Sequence, residues 1–159
     1  MHLRRALDAD PDDVYTRAVL ADLLLDGGRA HEAGQLMAGR EQHDPLLLRL
    51  ALADAQLGVD GAAARTLRER FAAARLRGDT LHQREEARFA LVVEGDAGGA
   101  LALSLRGFAQ QKEPWDLRLV LAAARAAGDP AAAAPAVAWM HGAGENARRL
   151  AALAEAVQQ

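Results

Sequence analysis

The fold is decided by residues 10–45, DPDDVYTRAVLADLLLDGGRAHEAGQLMAGREQHDP, in which the dipeptide Asp10-Pro11 returns at position i+34 as Asp44-Pro45. Two segments rich in helix-favouring residues lie between the dipeptides, and a Gly-Gly pair separates them. A fixed spacing of this size is typical of solenoids made of stacked helix pairs. The stretch therefore predicts a helix, a glycine turn and a second helix as the repeating unit of the fold.

Each of the two segments has an apolar face that includes a small residue. These faces consist of Leu20, Ala21 and Leu24 in the first segment and of Ala33, Leu36 and Met37 in the second. Ala21 and Ala33 allow the two helix backbones to approach closely. The stretch resembles the tetratricopeptide repeat family in its length, in a small residue in each helix, in its glycine turn and in its closing proline. The resemblance implies an all-α fold, a right-handed α-solenoid of stacked antiparallel helix pairs.

Helix-favouring segments continue along the rest of the chain, and no segment alternates apolar and polar residues as a half-buried strand does. Proline is expected in first helical turns, whose N–H groups lack intrahelical partners, and glycine at helix ends, where it adopts the left-handed conformation. The prolines expected there are Pro45, Pro114 and Pro130, and the glycines are Gly28, Gly95 and Gly128. Ten helices are predicted, at residues 3–9, 12–26, 30–43, 45–57, 61–77, 81–94, 98–112, 114–127, 130–141 and 146–157.

These helices form one predicted domain, residues 1–159, with about four helix pairs. The turn pattern recurs because Gly128 follows Gly95 at position i+33, and each precedes an alanine by five residues, as Gly28 does. The predicted parts are a half repeat at 3–11, repeats at 12–45, 46–79, 80–113 and 114–143, and a C-terminal capping helix at 144–159.

Two local alternatives remain open in this assignment. The turn of the second repeat lies at either Gly58 or Gly61. Pro135 falls five residues after Pro130 inside a predicted helix, so it either kinks that helix or delays the start of its regular part.

The half repeat at residues 3–11 leaves the N-terminal edge of the predicted solenoid open. Either the chain is the C-terminal part of a longer bacterial repeat protein, which is the preferred interpretation, or the edge takes part in self-association. No stretch reaches the ~18 apolar residues of a membrane helix. We therefore expect a soluble protein, cytoplasmic by default and exported if an upstream part carries a signal sequence.

The sequence offers little for catalysis, since cysteine is absent and the five histidines are scattered. His82 with Glu85 and Glu86 is the group that one helix face presents together, and it defines an alternative function as a metal-binding or hydrolytic helical protein. A solvated polar face is the preferred interpretation of the same residues. We accordingly predict no catalytic residue, no metal ligand and no cofactor.

Residues 65–77 hold five arginines against a single acidic residue, Glu69. We interpret the arginines as solvated flanks of an apolar helix face, with a patch for an anionic partner as the alternative. A nucleic-acid-binding helical repeat is the second alternative function. The net charge of −3 makes nucleic acid an unfavourable partner.

The family resemblance implies that the first helix of each pair lines a concave surface with residues at positions i, i+3, i+7 and i+10. This spacing gives Tyr15, Ala18, Asp22 and Leu25, then His82, Glu85, Phe89 and Val92, and finally Trp115, Arg118, Ala122 and Arg125. The candidate binding residues are Tyr15, Asp22, His82, Glu85, Phe89, Trp115, Arg118 and Arg125. Tyr15 and Trp115 either anchor a peptide or pack between repeats, and packing is the preferred interpretation. The predicted function is a non-catalytic scaffold that binds a protein or peptide at this surface.

Overall fold

A computed structural model of the chain describes residues 2–80 and 82–142. Within these ranges the secondary structure consists of nine α-helices and one short 3-10 helix, and no strand is present. The prediction of an all-α fold is therefore confirmed. The predicted helix at residues 146–157, and with it the capping helix at 144–159, lies outside the described residues.

The chain divides into two compact units, residues 1–80 and 81–159. The division falls within one residue of the boundary between the second and third predicted repeats. The helices of unit 1 are α1 (His2–Ala9), α2 (Val14–Asp26), α3 (Ala30–Met37), α4 (Asp44–Gln56) and α5 (Ala62–Leu76). The helices of unit 2 are α6 (Gln83–Val92), α7 (Ala97–Gln110), α8 (Pro114–Ala126), a 3-10 helix (Pro130–Ala133) and α9 (Ala134–Gly142).

Short polar side chains and prolines begin these helices. The side chains of Asp13, Asp96 and Asp129 accept hydrogen bonds from backbone N–H groups in the first turns of α2, α7 and the 3-10 helix. Pro45, Pro114 and Pro130 occupy first-turn positions, which confirms their prediction. Pro135 is the second residue of α9 and follows the 3-10 helix, so it delays the regular helix instead of kinking it.

Left-handed glycines end most of the helices. Gly28, Gly95 and Gly128 have φ angles of 68°, 66° and 69°, which confirms their predicted role. Gly58 has a φ of 73°, whereas Gly61 precedes α5 with a φ of −77°, so the turn of the second repeat lies at Gly58. At the end of α2 the N–H of Arg29 donates to the carbonyl of Leu24 over 2.8 Å, and the N–H of Gly28 donates to Leu25 over 3.0 Å. This pair of bonds satisfies two carbonyls that the helix would otherwise leave without partners.

The Asp-Pro dipeptides do not occupy equivalent positions in the structure. Asp10-Pro11 lies in the connection before α2, whereas Asp44-Pro45 forms the first two residues of α4. The two helices begin at Val14 and Asp44, which is a 30-residue spacing. Their left-handed glycines, Gly28 and Gly58, have the same spacing. The helix pair of unit 1 therefore has a 30-residue period, and the longer spacing of the dipeptide reflects a difference in the connections.

In unit 1, α2 and α4 are the central helices, and α2 contacts α1, α3 and α4. Ala21 on α2 and Ala33 on α3 are completely buried, as their predicted place at the helix crossing requires. Met37 and Leu46 fill the same core with exposed fractions of 1% each. The α4 helix also packs on α3 and α5, so consecutive helices form hairpins and the first helices of neighbouring hairpins touch.

Unit 2 repeats this arrangement with α6, α7 and α8. The α6 and α7 helices form a hairpin, and α8 contacts both of them. The core includes Ala100, Val120 and Ala123, which are fully buried. Phe108 on α7 meets Trp139 on α9 edge to face, with ring centroids 5.6 Å apart. These contacts connect α9 to the core of unit 2.

The left-handed turn of Gly28 is tested by substitution with alanine. We expect Gly28→Ala to lower the free energy of unfolding by about 1 kcal/mol, because a Cβ is unfavourable at a positive φ. Gly34 is the matched control, since it lies inside α3 and a Cβ added to its backbone would meet no atom within 4 Å. Gly34→Ala should raise the stability by about 0.5–1 kcal/mol. Urea denaturation followed by circular dichroism measures both, and equal shifts would contradict the turn geometry.

Candidate recognition surface

One face of α2 is apolar and open to solvent in unit 1. Tyr15 is 78% exposed and Leu23 is 58% exposed, while Val19 between them is half-buried. The three residues lie at positions i, i+4 and i+8, so they follow one another along one side of the helix. We call them the α2 ridge. Within the described residues Tyr15 is therefore not packed between repeats, contrary to the preferred interpretation of its sequence position.

The other residues predicted to line the concave side of α2 are buried instead. Ala18, Asp22 and Leu25 have exposed fractions of 7%, 6% and 4%. This side of α2 faces α4, because Arg49 binds the carboxylate of Asp22, and Gln56 donates to the carbonyl of Leu25 over 3.2 Å. The open side of α2 thus carries Val19 and Leu23, each one residue later in the chain than the predicted Ala18 and Asp22.

The contact between α2 and α4 includes a buried ion pair. The Nε and Nη2 atoms of Arg49 donate to the two carboxylate oxygens of Asp22 over 3.1 and 2.7 Å. The side chains are 16% and 9% exposed. Such a two-pronged bond between a planar guanidinium and a carboxylate restricts both helices to one relative orientation. Asp22 therefore has a structural partner and is not presented to a ligand as its prediction supposed.

A second bidentate pair, with the arginine on the earlier helix, joins α6 and α8 in unit 2. Arg84 on α6 donates to both oxygens of Asp116 on α8, over 2.6 and 2.8 Å, and also to Glu113 over 2.9 Å. Burial lowers the pKa of Arg84, but the hydrogen bonds and charges of Asp116 and Glu113 outweigh it and raise the pKa above its usual value. Asp116 in turn accepts the backbone N–H of Glu113 over 3.1 Å at the start of α8. The arginine thus holds α6 against the first turn of α8.

The open side of α8 carries all four of the residues that the spacing predicted there. Trp115 is 48% exposed, and the guanidinium of Arg118 lies 5.2 Å from its ring centroid in a cation–π contact. Ala122 and Arg125 are exposed on later turns of the same side. The predicted spacing therefore agrees with the exposure of α8, and Trp115 is not packed between repeats in the part of the chain that the structure describes.

Tyr15 and Trp115 occupy equivalent positions within their own helices, α2 and α8. Each is the second residue of its helix, and in each case a left-handed glycine, Gly28 or Gly128, follows at position i+13. The two exposed aromatic rings are thus placed in the same way on α2 and α8.

The structure separates the candidate residues of α6. His82 is exposed at the start of the helix and Glu85 is half-buried, whereas Phe89 is 4% exposed and belongs to the interior. Phe89 is therefore not available on an open face as predicted. Glu86 is also buried, at 7% exposure. Across residues 2–80 and 82–142, no three His, Asp or Glu side chains are arranged to hold a metal ion.

Several arginines of α5 are engaged with nearby oxygen atoms. Arg68 binds Asp60 over 3.0 Å, Arg70 binds Asp44, and Arg65 donates to the backbone carbonyl of Asp60 over 3.2 Å. Leu67 and Phe71 are buried on the inner side of the helix. This arrangement agrees with the interpretation of the arginines as flanks of an apolar face.

Val19, Leu23, Arg49 and Arg84 contribute to these surfaces but were not among the predicted site residues. Arg49 and Arg84 meet partners 27 and 32 residues away, and a sequence pattern does not specify such a pairing. The exposure of Val19 and Leu23 could have been suspected from the sequence, because apolar residues occur on nearly every side of α2 and its neighbours cannot cover them all.

Comparison with models of known protein families, with curated proteins and with solved structures finds no match to this chain. In the described part of the chain, each helix is too short or too polar to cross a lipid bilayer.

The contribution of the Asp22–Arg49 pair to the stability of unit 1 is tested by removing one partner. We expect Asp22→Ala to destabilise α2 and α4 by about 3 kcal/mol, because it leaves the Arg49 guanidinium buried without its carboxylate. The double variant Asp22→Leu/Arg49→Met should recover most of this loss, since it removes both charges. Native-state hydrogen exchange of the α2 and α4 amides measures the change.

Arg4→Ala serves as the control for that experiment. Arg4 pairs with Glu32 on the surface, where the side chains are 61% and 44% exposed. Its removal should change the stability by no more than about 0.5 kcal/mol. A double variant as unstable as Asp22→Ala would show that packing, and not an unpaired charge, causes the loss.

Proposed function

We propose that this chain is a non-catalytic scaffold that binds protein or peptide segments along the open sides of its first helices. We further propose that each unit is a short stretch of right-handed α-solenoid and that the chain belongs to the tetratricopeptide repeat family. The contacts of α2 with α4 and of α6 with α8 support this architecture, because stacked hairpins bring first helices side by side. The buried alanines and the glycine turn of residues 12–45 support the family, whereas the 30-residue period of unit 1 is shorter than the 34 residues of its repeats.

The main support for the proposal is that Tyr15 and Trp115 are both exposed aromatic residues at the second position of a first helix. Aromatic side chains supply a large contact area at a small cost in conformational entropy, and they are enriched among residues that dominate binding energies. Large apolar side chains left open on a helix face mark binding sites more often than isolated surface residues do. Two such rings at the same helical position are the arrangement expected of anchors on a repeated surface.

The ion pairs between first helices support the same function. Arg49 with Asp22 and Arg84 with Asp116 fix the orientation of the helices that carry the two rings. A surface that is already ordered before binding loses less conformational entropy when a partner docks. The units thus have the rigidity that a binding scaffold requires.

The proposed function is tested with peptides selected from a random display library on the full chain. We expect each selected peptide to lose at least about tenfold in affinity with either Tyr15→Ala or Trp115→Ala, because truncation removes an anchoring ring. Leu76→Ala is the control, since Leu76 is 91% exposed but lies at the end of α5, a second helix. Fluorescence anisotropy measures the affinities. Selected peptides that bind the Tyr15 and Trp115 variants as tightly as the parent chain would refute the proposed surface.

A further inference from the structure

We propose that the α2 ridge docks a cationic, partly apolar segment of a partner protein. The inference rests on the scaffold function proposed above, and it specifies the chemistry of the partner for unit 1. Two features of the described residues carry it, namely the open apolar side of a central helix and the acidic residues at both ends of that side.

The α2 helix has the composition of a buried helix. Apolar residues occur on nearly all of its sides, and helices of this kind are normally covered on every side. Its neighbours α1, α3 and α4 cover most of the surface. The α2 ridge, from Tyr15 to Leu23, remains open over about 12 Å of helix axis. A ridge of this length accommodates two or three apolar side chains of a partner segment.

Acidic residues lie in the chain directly before the ridge and one turn after it. Four of the six residues at 8–13, directly before α2, are aspartates. Asp12 is 87% exposed at its side chain, and Asp26 is exposed one turn beyond Leu23. A partner with lysine or arginine residues flanking its apolar positions complements this pattern of charge.

The basic side chains of α2 and α4 do not offset this acidity at the ridge. Arg17 is buried and donates to the backbone carbonyls of Leu36 and Pro11. Arg49 is bound to Asp22 between the helices. Arg40 does reach the acidic segment, where it pairs with Asp12 over 2.9 Å. Of the three further aspartates of that segment, Asp10 and Asp13 accept backbone N–H groups of Asp12 and Thr16, and Asp8 is exposed, so the segment keeps an excess of negative charge.

The same charges disfavour the other occupants of an apolar ridge. A two-fold dimer formed through the α2 ridge would place the 8–13 segment of one copy near the 8–13 segment or near Asp26 of the other, and like charges would oppose either arrangement. An anionic lipid surface is repelled for the same reason. A cationic protein segment is therefore the occupant that the charge pattern favours.

The test uses a random peptide display library selected on the immobilised full chain. Clones that bind the parent chain but not the Leu23→Ser variant are sequenced. We expect these clones to combine two or more large apolar residues with a net positive charge. Clones with a neutral or acidic consensus, or a selection in which no clone depends on Leu23, would overturn the inference.

A charge experiment on the best peptide from that selection examines the acidic ends directly. Asp8→Asn/Asp10→Asn should weaken its binding by at least about threefold, and so should a rise in NaCl from about 50 to about 300 mM. Two control variants lie on α5 and not on the ridge. Glu69→Gln removes an acidic charge from α5, and Leu76→Ser removes an exposed leucine from the same helix. Both controls should leave the affinity unchanged. Affinity that responds to neither the aspartates nor the salt would overturn the cationic assignment.

Two additional results separate this inference from its alternatives. Light scattering that finds a dimer of the full chain, dissociated by Leu23→Ser, would assign the ridge to a second copy and overturn the proposal. Peptides that depend on Trp115 but never on Leu23 would leave the scaffold function standing and refute this inference alone. Leu23→Ser alters an exposed position, so its thermal unfolding midpoint should match that of the parent chain.

Discussion

In both units a bidentate ion pair between an arginine and an aspartate joins neighbouring first helices. Arg49 binds Asp22 between α4 and α2, and Arg84 binds Asp116 between α6 and α8. A buried charge is costly without its partner, and the planar guanidinium meets a carboxylate in one favourable geometry. Each pair therefore fixes the rotation of its helices about their own axes. That rotation decides which side chains are covered and which remain open.

The open sides of the two units differ in chemistry as a result. Once α4 covers the side of α2 that carries Asp22, the remaining face presents Tyr15 and Leu23 beside acidic segments. On α8 the corresponding face presents Trp115 under the guanidinium of Arg118. One helix-pair architecture thus displays an apolar, acid-flanked surface in unit 1 and an aromatic, guanidinium-bearing surface in unit 2.

Local sequence signals predict most of the fold. Helix beginnings at Pro45 and Pro114 and left-handed ends at Gly28 and Gly128 are confirmed, because proline and glycine act through the conformation of their own backbone. The third helix is predicted to reach residue 43 but ends at Met37, before a left-handed glycine that the pattern does not single out. The repeated Asp-Pro dipeptide indicates a longer period than the 30-residue spacing of the helices in unit 1. A repeated dipeptide does not specify the lengths of the connections around it.

The sequence by itself determined the all-α class of the described residues, the places where most of their helices begin and end, and the position of Ala21 and Ala33 on the apolar faces of α2 and α3. These properties follow from backbone conformation and from the spacing of side chains along one helix. Only the tertiary structure decided that Asp22 and Phe89 are covered while Tyr15, Leu23 and Trp115 are open. Exposure depends on which neighbouring helix occupies each side, and contacts between residues far apart in the chain, such as Asp22 with Arg49, establish that arrangement.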